Sequence, residues 1–195
     1  VGERMNAVNR SLYQGAWEAL DLRDGMRVLE IGFGNGRFFG ELIGQAKDLK
    51  LHGLDFSKEM VEQASAQNAA LIANGTLSLS LGPSDRMPYP DALFDRIFCI
   101  NVVYFWEDPA THLGEVRRVL KPGGTFITVL RTRSSMEKLP FADHGFTKYE
   151  KADWEQVLRA NGFIPSATTV LREAEVEFLG SRFTPESLVM TASVA

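Results

Sequence analysis

The stretch Val28-Leu29-Glu30-Ile31-Gly32-Phe33-Gly34-Asn35-Gly36-Arg37-Phe38 constrains this chain more than any other. Val28 to Ile31 is a short apolar, β-branched run with one acid, the pattern of a buried parallel strand. Gly32, Gly34 and Gly36 then alternate through a tight turn. From Phe38 the apolar positions Phe39, Leu42, Ile43 and Ala46 fall at helical spacing, which predicts a helix starting at about the last glycine. A strand, a glycine turn and a helix start form a cradle in which a ligand can touch backbone. The first N–H groups of such a helix are expected to be free for a carboxylate or phosphate.

A dinucleotide fingerprint, Gly-x-Gly-x-x-Gly, would need its third glycine at position 37, where this chain has Arg37. The spacing is instead Gly-x-Gly-x-Gly, with Glu30 two residues ahead of it. This resembles the first motif of the class I S-adenosylmethionine (SAM)-dependent methyltransferases. The resemblance implies that Gly32, Phe33, Gly34 and Gly36 wrap the amino-acid portion of SAM, while Glu30 helps to hold its ammonium group.

Three further segments continue the resemblance in order. Leu49 to Leu54 reads as a second strand ending at Asp55, with Ser57 as the N-cap of a helix carrying Met60, Val61 and Ala64 inward. An acid at a strand tip about 20 residues after the glycine loop suits two ribose hydroxyls. Gly53-Leu54-Asp55-Phe56-Ser57 matches the family closely here, and places Phe56 beside the adenine. After a third strand, Thr76 to Leu81, comes Gly82-Pro83-Ser84-Asp85. Family members usually carry an Asp at the position of Pro83, where it bonds the adenine amino group. Proline has neither an acceptor side chain nor an N–H. Ser84 still offers its backbone N–H, and Asp85 is the candidate replacement for the missing acid. Leu120-Lys121-Pro122-Gly123-Gly124 is the last signature, read as a helix stop and turn before a fifth strand, Thr125 to Leu130.

The fourth strand, Arg96 to Val102, should end at the site, since open α/β sheets bind ligands beyond the carboxyl ends of their strands. Asn101 matches the family's residue beside the methionine part of SAM. Tyr104, Phe105 and Trp106 cannot all point one way, and Tyr104 is taken as the substrate-side ring. Residues 131–149 lack periodicity, as substrate-side loops often do. His144 within them is either a proton acceptor for the substrate or a loop-packing histidine. His52 and His112 show no pattern that assigns them a role, and no His/Cys/acid cluster suggests a metal.

The 195 residues suffice for one sizeable core. Apolar residues make up 45%, which excludes a disordered chain, and the net charge of −4 leaves no basic footprint for nucleic acid. The lone Cys99 lies among apolar neighbours, so it reads as a core thiol. No apolar run can span a bilayer and the start does not read as a signal peptide, so a cytoplasmic location is the default. A leading amphipathic helix is predicted over residues 3 to 21, with a break near Gly15. On it, Tyr13 is either a packing residue or a lid over the cofactor.

Strand–helix alternation predicts a doubly wound α/β domain. The chain is identified as a member of the ubiquinone-biosynthesis-like branch, also described as the type 11 methyltransferase domain. That resemblance implies a Rossmann-like, mostly parallel sheet of seven strands, with a C-terminal antiparallel strand and helices on both faces. One domain is expected: a helical cap at 1–24, a cofactor core at 25–130, and substrate-side elements at 131–195. The implied function is methyl transfer from SAM, leaving S-adenosylhomocysteine (SAH), to a small-molecule acceptor. The alternatives are a SAM-binding scaffold without turnover, which Pro83 favours, and an NAD(P)-dependent oxidoreductase, which Arg37 opposes.

Overall fold

The computed structural model describes residues 2–138, 147–173, 175–178 and 181–194. A helix α1 (Gly2–Leu20) leads into β1 (Arg27–Ile31), and the glycine turn follows. Then come α2 (Phe39–Ile43), β2 (Lys50–Asp55), α3 (Lys58–Gln67), α4 (Ala69–Ala73) and β3 (Leu77–Leu81). The second half contains β4 (Phe94–Ile100), a 3₁₀ turn at Val103–Phe105, α5 (Pro109–Val119), β5 (Leu120–Arg131), α6 (Arg133–Met136) and α7 (Lys151–Ala160). It closes with β6 (Phe163–Arg172), a small hairpin of β7 (Val176–Phe178) and β8 (Ser181–Phe183), and β9 (Glu186–Val194).

Seven strands form one sheet in the order β3-β2-β1-β4-β5-β9-β6, with β9 antiparallel to both of its neighbours. This is the expected mixed sheet. β1 lies at its centre, pairing in parallel with β2 through Leu29↔His52 and with β4 through Leu29↔Ile97. Alternation along the strands supplies two cores. Val28, Phe98, Ile127 and Val129 face Leu12, Ala16 and Leu20 of α1 and Leu42 of α2. Leu29, Ile97, Cys99 and Phe126 face Leu113 and Val116 of α5 and Trp154 and Leu158 of α7. Trp154 is fully buried, and its indole N–H donates to Thr128 Oγ1 at 2.8 Å, which satisfies the ring's one polar group.

Three sequence expectations change. The first helix is unbroken at Gly15: a Cβ there would lie 2.6 Å from Leu171 Cδ1, so the residue lets α1 approach the sheet. α1 therefore covers one sheet face, and is more than a cap. The Leu-Lys-Pro-Gly-Gly segment is no simple turn either. β5 already starts at Leu120, which pairs with Phe94, and the register then slips so that Arg96 pairs with Thr125. The intervening residues bulge out of the ladder. Finally, α2 is only five residues long and starts after Phe38, beyond the last glycine. The loop's N–H groups are used inside the fold. Gly32 donates to Leu54 O at 2.7 Å, Gly36 to Phe33 O at 3.2 Å, and Arg37 to Asn35 Oδ1 at 3.2 Å.

Gly36 shows how tightly the turn is packed. Its φ of +66° lies in the left-handed region, and a Cβ there would stand 2.8 Å from Ala64 Cβ of α3. Asn68, at the end of α3, donates to Gly36 O at 3.0 Å and anchors the same contact. Gly36→Ala is expected to destabilise the fold by about 2–4 kcal/mol, adding backbone strain to overpacking. Urea denaturation measures this, and a loss under about 1 kcal/mol would mean that α3 yields easily.

Candidate functional site

The carboxyl ends of β1, β2, β3 and β4 surround a cavity of about 490 Å³. Gly32 and Gly34 form its floor at β1, while Asp55, Phe56 and Ser57 form its wall at β2. Gly82, Pro83 and Ser84 close the β3 side. Asn101 and Val102 close the β4 side, and Phe105, Trp106 and His112 complete the rim. Phe56 is 79% exposed and Phe105 61%, so two aromatic rings face solvent at the mouth. The size falls within the roughly 300–1,000 Å³ typical of small-molecule sites.

Asp55 is the most connected polar group in the cavity wall. It is the last residue of β2 and only 6% exposed. Its Oδ2 accepts the Gly34 N–H at 3.0 Å and its Oδ1 accepts the Ser57 N–H at 2.9 Å. One carboxylate thus pins the glycine turn to the start of α3, and each oxygen keeps further acceptor capacity. Ser57 caps α3 as expected, accepting from the Met60 N–H at 3.4 Å.

Glu30 lies under the site, not in its wall. It is 3% exposed, and Tyr13 of α1 donates a 2.6 Å hydrogen bond to its Oε1. Burial, and to a lesser degree the Asp55 charge, push its carboxyl up to about 8 against the lowering effect of the Tyr13 bond. Burial also raises the Tyr13 phenol, with the Glu30 charge next in importance. The Tyr13 ring packs on Phe38 with centroids 4.2 Å apart. The expected cofactor contact of Glu30 is therefore covered by Tyr13 in this conformation.

Phe33 is another correction. Its ring turns into the core against Phe39, and a Cβ at Gly53 would lie 2.6 Å from Phe33 Cδ1. The glycine before Leu54 makes room for that ring. Gly36 packs on α3, away from the cavity. Asp85 is exposed and lines a neighbouring depression with Glu107, Asp108 and Thr111. Among the aromatic triplet, Tyr104 and Trp106 are both buried, at 5% and 2% exposed, and Phe105 alone turns outward. The Tyr104 hydroxyl donates to Asn101 Oδ1 at 3.1 Å and accepts the Arg131 N–H. Tyr104 therefore braces the end of β4 beneath the site and is not on the substrate side. A 3₁₀ turn advances about 120° per residue, so burying Tyr104 turns Phe105 outward, while Trp106, extended beyond the turn, lines the cavity from within the core. His144 lies outside the described residues.

Gly32, Gly34, Asp55, Phe56, Ser84 and Asn101 are the expected residues that meet around the cavity. Asn101 itself has φ +57°, a left-handed conformation that asparagine tolerates and that ends the strand. His112 was not foreseen. It sits in the first turns of α5, stacked on Trp106 with centroids 4.7 Å apart and planes 3° apart. Its Nδ1 shares a 2.8 Å hydrogen bond with Ser84 Oγ. Burial lowers the imidazole below its ordinary value, with Asp85 and Asp108 pulling the other way.

The described residues contain no group of three His, Cys, Asp or Glu side chains that could hold a metal. Burial raises the Cys99 thiol, as expected of a core residue. No helix among the described residues is long and apolar enough to cross a membrane.

A model of the methyltransferase domain family matches residues 29–128. The uncharacterized methyltransferase YdaC of Bacillus subtilis is 28% identical over 135 residues, covering 69% of this chain and 72% of YdaC. The demethylmenaquinone methyltransferase of Deinococcus radiodurans is 30% identical over 135 residues. That match covers 65% of this chain but only 55% of the relative. Among solved structures, a chain of the Haloferax volcanii complex between a methyltransferase activator and a methyltransferase superposes with a TM-score of 0.81. It is 21% identical, and the match covers 99% of this chain and 94% of that one.

Proposed function

The chain belongs to the methyltransferase domain family, and from that premise we propose that it transfers the methyl group of SAM to a nucleophilic atom of a small molecule. The cavity fits this cofactor. A glycine turn lets backbone approach one end, a fixed carboxylate stands in the middle, and an exposed ring stands beside it. When bound there, SAM supplies a methyl carbon made electrophilic by its sulfonium.

The chain's own residues bind, orient and exclude water. Gly32 and Gly34 are assigned to the methionine end, with Asn101 opposite. Asp55 accepts from the ribose hydroxyls, and its bonds to Gly34 and Ser57 keep that acceptor in place. Phe56 and Ser84 face the base. The acceptor enters between Phe56 and Phe105, where apolar walls from Ile100, Val102 and Trp106 can shed water. Holding two reactants in line contributes most of the rate in such a reaction. No general base is assigned: Asp55 and His112 are the ionisable side chains among the described cavity residues, and His112 Nδ1 is already engaged by Ser84 Oγ.

The bridging position of Asp55 in the cavity wall is the observation that carries this reading. A small acceptor is favoured by a cavity of about 490 Å³ and by a net charge of −4. Incubating the protein with methyl-labelled SAM and a panel of small phenols, quinols, amines and thiols should yield SAH and a labelled product. SAH binding without transfer across the panel would favour the scaffold reading. No SAH binding at all would remove both.

A further inference from the structure

We propose that the Ser84–His112 pair reads the adenine edge of the cofactor, in place of the acid that Pro83 displaces. The inference rests on the SAM-binding reading above and extends it to a residue from the other half of the chain. Strand order places the base. The glycine turn follows β1 and the ribose acceptor Asp55 ends β2, so a ligand running from one to the other continues towards β3. The β3 loop supplies Gly82, Pro83 and Ser84 there. Pro83 offers no acceptor side chain and no N–H, and Asp85 lines only the neighbouring depression, whereas His112 borders both that depression and the cavity. Ser84 and His112 are left as the polar pair at that end.

The pair is held in place. Trp106 stacks on one face of the imidazole at 4.7 Å, and Ser84 Oγ engages Nδ1 at 2.8 Å. The ring can turn neither about its stack nor away from the loop, and Nε2 remains as its second polar atom. The pair also offers both hydrogen-bond polarities. If Nδ1–H donates to Ser84, Nε2 accepts and the hydroxyl proton is free to donate. If Ser84 donates to Nδ1, Nε2–H is the donor. Adenine presents an exocyclic amino donor, which Nε2 accepts in the first arrangement, while the Ser84 bond at Nδ1 fixes that tautomer and the ring's direction.

The test compares SAH with S-inosylhomocysteine, whose hypoxanthine replaces the amino group by a carbonyl and protonates the adjacent nitrogen. Calorimetry on wild type, His112→Phe, Ser84→Ala and the double variant gives the affinities. His112→Phe keeps a flat ring against Trp106 and removes both nitrogens. The wild type should prefer SAH over the inosine analogue by about tenfold or more, the worth of one net hydrogen bond. His112→Phe should bind SAH about tenfold more weakly, for the same reason, and lose most of that preference. The double variant should be little worse than His112→Phe alone, because the two residues act as one unit. Unchanged SAH affinity and unchanged preference in His112→Phe would overturn the proposal, as would an effect on acceptor KM alone. If His112→Phe does not fold, Ser84→Ala carries the same comparison with one atom removed. A wild type that binds neither compound would instead overturn the SAM reading itself, a separate and recognisable failure.

Discussion

Asp55→Ala is expected to weaken SAH binding by about 100-fold, or about 2.7 kcal/mol. Two losses combine. Charge-assisted hydrogen bonds to the ribose hydroxyls disappear, each worth about 1.5–3 kcal/mol at most. The substitution also strands the N–H groups of Gly34 and Ser57, which both donate to this carboxylate. The glycine turn and the start of α3 then lose their common acceptor. Asp55→Asn should recover little, because its amide presents a donor to one of those two N–H groups. Calorimetry gives the affinity, and hydrogen exchange at Gly34 and Ser57 reports the loosened turn. Binding within about threefold of wild type, or about 0.65 kcal/mol, would show that the ribose is held elsewhere.

Glu30→Gln is expected to stabilise the protein, increasingly so as pH rises. In the folded chain Glu30 keeps its proton up to about pH 8, mainly because burial disfavours its charge. In the unfolded chain it releases that proton near 4.5, its ordinary value. The favourable, protonated burial is fully present below the unfolded value. It is lost as pH climbs through the interval to about 8. The substituted glutamine amide never titrates, has nearly the same shape and still accepts from the Tyr13 hydroxyl. The variant should match wild type near pH 4.5 and exceed it by about 3 kcal/mol near pH 8, a discounted share of the full shift. Urea denaturation at both pH values measures the difference. An equal gap at the two pH values would mean that Glu30 is already ionised in the folded chain.

Much of the fold was legible because it is local. The apolar run Val28–Ile31, the glycines after it and the helical spacing beyond dictate a strand, a turn and a helix without help from distant residues. The same holds for Asp55. An acid closing an apolar strand, two residues before a capping serine, stands at a strand tip in any α/β sheet, and the structure places it in the cavity wall. Family motifs added the number of strands and the antiparallel one at the end, which local pattern does not contain.

Side-chain direction within a short irregular segment was not legible. Three consecutive aromatics give no period, so only the 3₁₀ turn and the Arg131 backbone decided that Tyr104 faces inward. Partners distant in sequence were not legible either. Tyr13 meets Glu30 because α1 lies across the sheet, and His112 meets Ser84 because α5 begins beside the β3 loop, 28 residues away. Phe33 turned inward because Gly53, on the adjacent strand, leaves a space that its ring fills. Propensity and periodicity act over a few residues, and so the order of amino acids sufficed to say which residues form elements and which end them. Which side chains reach the cavity was settled by packing, because that depends on which elements lie against each other.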